Sequence, residues 1–382
     1  MHEVTSTGLV GRRTKPPFRA DHVGSVLRPR KLLKARDDFA SGAIDAAALR
    51  VIEDDAIRET VRRQEDIGLR AATDGEFRRA SWHMDFIYQI DGISKEAGHL
   101  AVQFHNEEGD IEFTPAALHV DAKLGISKTI FGDDFRFVQD TVTRAVPKLT
   151  IPSPSMVHYR AGRAAIDPSV YADMDGFWAD LTAAYAEEVR RLGELGCTYL
   201  QFDDTSLAYM NDPHQRDYMA SIGGDPERQH VEYIRHINES LAHRPADMSV
   251  TTHMCRGNFR SSWAAEGSYD FVAEALLNEL DVDGFFMEWD DERSGGFEPL
   301  RFLPKGDKQV VLGLVTTKRG ALESKDELKR RIDEASRYAP LEQLCLSPQC
   351  GFSSTVEGNS LMEDEQWAKL ALIVEVAEEV WG

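Results

Sequence analysis

Residues 174–204 read MDGFWADLTAAYAEEVRRLGELGCTYLQFDD. Met174–Leu195 is an amphipathic helical pattern, Gly196 sits where that helix should stop, and Thr198–Asp204 is a short apolar run ending on two acids. The same rhythm recurs in both directions. Strands are predicted at Phe18–Ser25, Leu69–Glu76, Lys148–Pro154, Thr198–Asp204, Met248–Cys255, Gly284–Asp290, Gln309–Thr316 and Gln343–Gly351. Helices are predicted at Ala46–Gln64, Met174–Leu195, Glu227–Ala242, Lys325–Ser336 and Glu363–Val380. The last two open on capping boxes, Ser324-x-x-Glu327 and Ser360-x-x-Glu363. About eight such units with near-continuous apolar strands predict an α/β fold, a closed parallel (β/α)8 TIM barrel. An open doubly wound sheet is the rival, but no G-x-G-x-x-G phosphate turn follows an early strand.

Two insertions break the rhythm. Phe77–Val146, after the second predicted strand, carries Ala101–Phe104 and Ile111–Phe113 around a polar turn, the pattern of a hairpin. Thr205–Asp225, after the fourth, is polar and turn-rich. In a barrel both overhang the C-terminal face, where barrel enzymes keep their chemistry. With no Pro/Ser linker and no repeat, residues 18–382 are expected to form a single domain behind an N-terminal tail of residues 1–17.

The chain has 382 residues, 42% hydrophobic and 9% aromatic, ample for a buried core. Lys and Arg number 44 against 65 Asp and Glu, a formal net charge of −21. Such a surface repels phosphate backbones and anionic lipid, so no nucleic acid or membrane partner is expected. Four cysteines, Cys197, Cys255, Cys345 and Cys350, are too few for a disulfide framework. Reduced thiols and a cytoplasmic location are the expectation.

The sharpest local signal is Thr252-His253-Met254-Cys255. Residues i and i+2 of a strand face one side, so His253 and Cys255 converge at a strand end. The next predicted strand ends near Glu288, and the last ends near Cys350. A buried histidine beside a core cysteine is the bland reading of H-x-C. An acid and a second thiol at equivalent strand ends favour a metal. Imidazole, carboxylate and two thiolates suit tetrahedral Zn²⁺. Cys197 and Cys345, at a helix-to-strand turn and in mid-strand, read as packing residues. A thiolate-rich zinc suits binding a thiol substrate as thiolate, a nucleophile toward alkyl carbon at neutral pH.

At these residues the chain resembles the catalytic barrel of cobalamin-independent methionine synthase. His22-Val23-Gly24-Ser25, Asp74-Gly75-Glu76-Phe77 and Gln201-Phe202-Asp203-Asp204 resemble further segments of that family, in the same order. The resemblance runs from about Phe18 to the C-terminus and fits single-barrel, methionine-synthase-like proteins. It implies a zinc-dependent S-methyltransferase: His253, Cys255, Glu288 and Cys350 hold zinc, and Ser25, Glu76 and Asp203 grip the amino-acid part of homocysteine. Where the family has its catalytic histidine this chain has Lys318, which takes the place of the acid. The partners implied are a small-molecule thiol and a methyl donor of the 5-methyltetrahydrofolate type. A homo-oligomeric state is left open.

Two other readings stand beside this one. The zinc thiolate could take its alkyl group from an epoxide, methylcobalamin or a sulfonium. Alternatively, the barrel is non-catalytic and its zinc structural. Cofactor-free decarboxylases on similar barrels need no thiolate ligands, so Cys255 and Cys350 argue against them. Arg28 and Arg30 are candidates to clamp an anionic donor. Trp82, His83 and Asp85 are candidates for a lid. Arg256 and Arg260 are candidates to bind an anion or to balance Asp290, Asp291 and Glu292. Of Asp203 and Asp204, adjacent on one strand, only one can enter the mouth.

Overall fold

The computed structural model describes residues 13–96, 102–106, 109–113 and 117–382. Its strands are β1 (Ala71–Ala72), β2 (Asp91–Glu96), β3 (Val102–Asn106), β4 (Gly109–Phe113), β5 (Ala117–Gly125), β6 (Val146–Pro147), β7 (Leu149–Pro152), β8 (Tyr199–Asp204), β9 (Ser249–Met254), β10 (Gly284–Glu288), β11 (Gln309–Val315) and β12 (Leu344–Pro348). The fold is mixed α/β. Its centre is a six-stranded parallel sheet in the order β12-β11-β10-β9-β8-β7. These strands fall on the last six predicted segments. Every residue of β8, β10, β11 and β12 is buried, which is why these strands read as largely apolar runs, with polar residues mostly at their ends, rather than as alternating ones.

The first two predicted strands fare differently. Phe18–Ser25 meets β12 through a single parallel bridge, Ala20 to Leu346. The Asp21 side chain explains the missing ladder: its carboxylate accepts the Phe18 and His22 backbone N–H groups at 2.9 and 2.8 Å. Leu69–Glu76 shortens to β1, which pairs with β6. The Thr73, Gly75 and Glu76 N–H groups go instead to the side chains of Gln64, Thr73 and Asp74. Among the described residues no ladder joins segments 18–25 and 69–76. They touch through Val26 N–H to the Gly75 carbonyl at 3.3 Å and Thr73 Oγ1 to the Gly24 carbonyl at 2.6 Å. The closed ladder of the predicted barrel is therefore not found. Polar side chains divert the backbone donors that would have made it.

The helices predicted to flank the sheet form at Ala46–Asp66, Met174–Glu194, Gln229–Ser240, Lys325–Ala335 and Glu363–Trp381. Ser324 caps its helix by accepting the Glu327 N–H. The Ser360 box is displaced by two residues: Met362 precedes the helix, and its N–H reaches Glu365 Oε2 at 2.7 Å. Val23, Phe286, Val311 and Cys345 form one buried cluster contributed by three strands and the Phe18–Ser25 segment.

In the first insertion β3 and β4 form the expected hairpin, with Phe104 opposite Ile111, while Ala101 lies outside the described residues. The hairpin docks by paired backbone hydrogen bonds between His105 and Trp263, on the loop that follows β9. The second insertion forms short helices Ser206–Tyr209 and Pro213–Ser221. Of the predicted tail, residues 1–12 lie outside the described residues, and Pro16 and Pro17 are buried. Among the described residues no helix is long and apolar enough to cross a membrane.

Candidate metal centre

His253 lies near the end of β9, and Cys255 is the first residue past it. Glu288 ends β10, and Cys350 lies two residues past β12. All four side chains are buried, and one ligand atom from each falls within 4.8 Å of the others. His253 Nε2 lies 3.4 Å from Cys350 Sγ, and the two sulfurs are 3.5 Å apart.

The electrostatics suit a cation. Burial, the neighbouring Cys255 and the nearby Asp290 push the Glu288 carboxyl up to about 7, against the pull of Arg293 and His253. The hydrogen bond with Cys350 and the neighbouring His253 hold the Cys255 thiol well below its ordinary range, and burial only partly opposes this. Burial lowers His253, but the adjacent Cys255 outweighs that and raises it. His253 Nδ1 is buried with no hydrogen-bond partner among the described residues. A buried imidazole, a carboxylate and two sulfurs crowded within ligand distance repel one another unless protons or a metal ion lie between them. One nitrogen, two sulfurs and one oxygen fit the donor preferences of zinc.

Beside this cluster lies a cavity of about 20 Å³, room for roughly one water. His253, Cys255 and Cys350 line it together with Ser25, Glu76, Asp203, Trp82 and Ser354. Glu76 takes a left-handed backbone, φ 61°, which Asp74 holds by accepting the Glu76 N–H at 2.8 Å. Glu76 Oε1 accepts from Thr150 Oγ1 at 2.9 Å, and its Oε2 is buried and unpartnered among the described residues. Burial raises this carboxyl against the pull of Arg79. Asp203 accepts from Gln201 Nε2 at 2.7 Å. Burial pushes its carboxyl up to about 7, with His253 pulling down and Glu76 pushing further up. Asp204 faces away and binds the hydroxyls of Ser153, Ser155 and Ser206. Gly351 lets the chain pass Ser25, since a Cβ there would sit 2.0 Å from Ser25 Oγ.

Lys318 lies elsewhere. It is not on the cavity wall, and its ammonium pairs with Asp290 Oδ2 at 2.5 Å and Asp291 Oδ2 at 3.3 Å. The acids expected to be balanced by Arg256 and Arg260 are in part an internal network: the Asp290 side chain is 1% exposed, and Arg293, not Arg256 or Arg260, binds Glu288, Asp290 and Asp291. Arg256 instead gives its backbone N–H to Glu288 Oε1 at 2.9 Å and stacks its guanidinium over Tyr269. Arg28 spends its guanidinium on the carbonyls of Glu76, Arg79, Ser353 and Thr355, so it braces two loops rather than clamping a donor. Trp82 reaches the cavity and ties its N–H to the Ser354 carbonyl at 3.2 Å, while His83 and Asp85 hold the turn beneath it. Cys197 and Cys345 are buried thiols that burial pushes up to about 12 and about 11, as suits packing residues. Sequence reading missed Arg293. Its signal was the spacing Glu288-x-Asp290-Asp291-x-Arg293, an arginine one short turn beyond three acids.

Residues 18–379 match the family described as cobalamin-independent synthase, catalytic domain. The chain belongs to that family. It is 45% identical over 379 residues to the uncharacterized protein YxjH of Bacillus subtilis (strain 168), covering 98% of this chain and 99% of the relative. A protein named methionine synthase from Pyrococcus abyssi (strain GE5 / Orsay) is 26% identical over 330 residues, 86% of this chain and 84% of that one. Among solved structures, the putative vitamin-B12 independent methionine synthase from Listeria monocytogenes superposes with a TM-score of 0.77 at 38% identity, covering 97% of this chain and 100% of that one. The cobalamin-independent synthase family is methyltransferase-like, and this chain carries its methionine-synthase-like catalytic domain over nearly its whole length.

Proposed function

We propose that this chain is a zinc-dependent S-methyltransferase that moves a methyl group to the thiol of homocysteine. The observation that carries the reading is one cavity lined both by His253, Cys255 and Cys350 and by Ser25, Glu76 and Asp203. A small molecule with a thiol at one end and an amino acid at the other matches those two sets of side chains, which must move apart to admit it because the cavity has room for about one water. The relatives named methionine synthase support the same substrate. We take the parallel sheet, with the Phe18–Ser25 and Leu69–Glu76 segments as its two shortened members, to be a (β/α)8 barrel.

His253, Cys255, Glu288 and Cys350 would hold the zinc. When bound, zinc would keep the substrate sulfur as thiolate, and thus nucleophilic, near neutral pH. Glu76 and Asp203 orient the substrate by accepting hydrogen bonds from its ammonium, and the Ser25 hydroxyl faces its carboxylate. Trp82 covers the cavity and keeps water from competing for the methyl group. The new bond joins substrate sulfur to the methyl carbon, and the bond from that carbon to the donor breaks with its electron pair staying on the donor, which takes up a proton from solvent. Lys318, held by Asp290 and Asp291, serves to position the acidic strand end rather than to deliver the proton to the departing donor.

Turnover of L-homocysteine with a donor panel tests the reading. Methionine formed from a 5-methyltetrahydrofolate supports it. Methionine formed only from methylcobalamin or a sulfonium keeps the thiol half and changes the donor. No product with any donor overturns it.

A further inference from the structure

We infer that Arg293 is a positioning residue that keeps Glu288 a displaceable ligand. The inference rests on the reading above, in which the substrate sulfur binds the metal, and it adds that this sulfur replaces the weakest member of the four-residue set. Glu288 already has protein partners on both oxygens. Oε1 accepts the Arg256 N–H at 2.9 Å, and Oε2 accepts Arg293 Nη2 at 3.0 Å. The same nitrogen reaches Asp290 Oδ1 at 3.1 Å, and the other terminal nitrogen pairs with Asp291. Asp290 is in turn held by Lys318. Arg293 is fixed from below, since its own N–H donates to Asp291 Oδ1 at 3.1 Å within the turn Glu292–Ser294.

The side chains of Arg293 and Glu288 are 6% and 2% exposed, so little water screens the pair. Two consequences follow. A guanidinium sharing Oε2 draws off electron density that a metal would otherwise take, and it adds a positive charge close to the cation. It also gives the carboxylate a counter-charge to rest against when it lets go, so departure does not leave a bare buried anion. Cys255, by contrast, receives a neutral donor, the Gly257 N–H at 3.4 Å. The structure thus assigns lability to Glu288 and assigns Arg293 as its cause.

The test uses the full chain loaded with cobalt(II), whose visible absorption reports its ligands. Cobalt affinity is read by chelator competition, and ligand exchange by titration with L-homocysteine. Arg293→Met is expected to bind cobalt about tenfold tighter and to need about tenfold more L-homocysteine for the spectral change. Arg293→Lys, which restores a charged donor, should bring both values back toward wild type. Arg293→Met added to Glu288→Ala should change neither. Should Arg293→Met fail to fold, Arg293→Gln is expected to move both values in the same direction. Wild-type values in Arg293→Met, or the same shift in the Glu288→Ala background, would overturn the assignment. If wild-type protein shows no response to L-homocysteine, the methyl-transfer reading fails. The affinity arm then decides alone: tenfold tightening sustains the hold of Arg293 on Glu288, and its absence removes it.

Discussion

Cys255 and Cys350 are 95 residues apart in the chain, yet their Sγ atoms lie 3.5 Å apart. They sit just past β9 and β12, which β10 and β11 separate. Three steps of about 4.8 Å between strands would leave such residues roughly 14 Å apart in a flat sheet. The sheet therefore curls hard around the site, and that curl is what makes two distant sulfurs a chelate. Cys350→Ser is expected to lose most bound metal and most activity while keeping the wild-type far-ultraviolet circular dichroism. Full metal content in that variant would show that Cys350 is no ligand.

The two carboxylates that line the cavity give a separable expectation. Glu76 and Asp203 are buried carboxylates on the cavity wall, Glu76 with one oxygen unpartnered among the described residues and Arg79 3.7 Å from the other. Losing one charge-assisted hydrogen bond to a substrate ammonium costs on the order of 1.5–3 kcal/mol, or roughly 10–100-fold in KM. Glu76→Gln and Asp203→Asn should raise KM for L-homocysteine by that factor with metal content unchanged. A thiol lacking the amino group should feel the substitutions far less. An equal effect on both thiols would remove the ammonium assignment.

The four metal-type residues were legible because strand ends obey a period of two and fall at one rim, whereas Ser25, Glu76 and Asp203 came from the family resemblance and line the same cavity. Six strands were legible for a different reason: buried parallel strands are near-continuous apolar runs. The Phe18–Ser25 and Leu69–Glu76 segments are more polar, and Asp21, Thr73 and Asp74 capture their backbone donors locally. Periodicity does not register such capture. Arg293 was passed over because a charge cluster reads as surface, and only the packing of Asp290 shows it to be interior. Lys318 was chosen by sequence position, whereas its partner is set by the geometry of a neighbouring strand end.

Arg28 supplies a stability prediction. Its guanidinium binds the carbonyls of Glu76, Arg79, Ser353 and Thr355 at 2.8–3.2 Å, joining the loop that carries Glu76 to the loop after Cys350. Arg28→Met leaves four acceptors without that donor. At roughly 1 kcal/mol each, the loss is about 3–5 kcal/mol, read as a fall in the urea midpoint. A change under 1 kcal/mol would show that these loops are braced otherwise.

Glu188 supplies a pH prediction away from the metal. Its Oε1 accepts the Ile130 N–H at 2.8 Å, and its Oε2 is buried and unpartnered among the described residues. Burial pushes its carboxyl up to about 8, against the Ile130 hydrogen bond. The folded state therefore holds a proton that the unfolded chain releases near pH 4.5, and stability falls as pH rises from there to about 8. Glu188→Gln should match wild type near pH 4 and exceed it increasingly up to pH 8, by at most roughly 3 kcal/mol at pH 7. A difference that does not vary with pH would show that Glu188 is not protonated in the fold.

The central claim is that His253, Cys255, Glu288 and Cys350 bind one metal ion and admit a substrate sulfur to it. X-ray absorption at the zinc edge, on protein purified without added metal, tests this most directly. The account predicts about one zinc per chain bound by two sulfurs and two lighter atoms, and a third sulfur once L-homocysteine is added. Protein that folds with no tightly bound zinc, or a zinc whose sulfur count the thiol leaves unchanged, would contradict it.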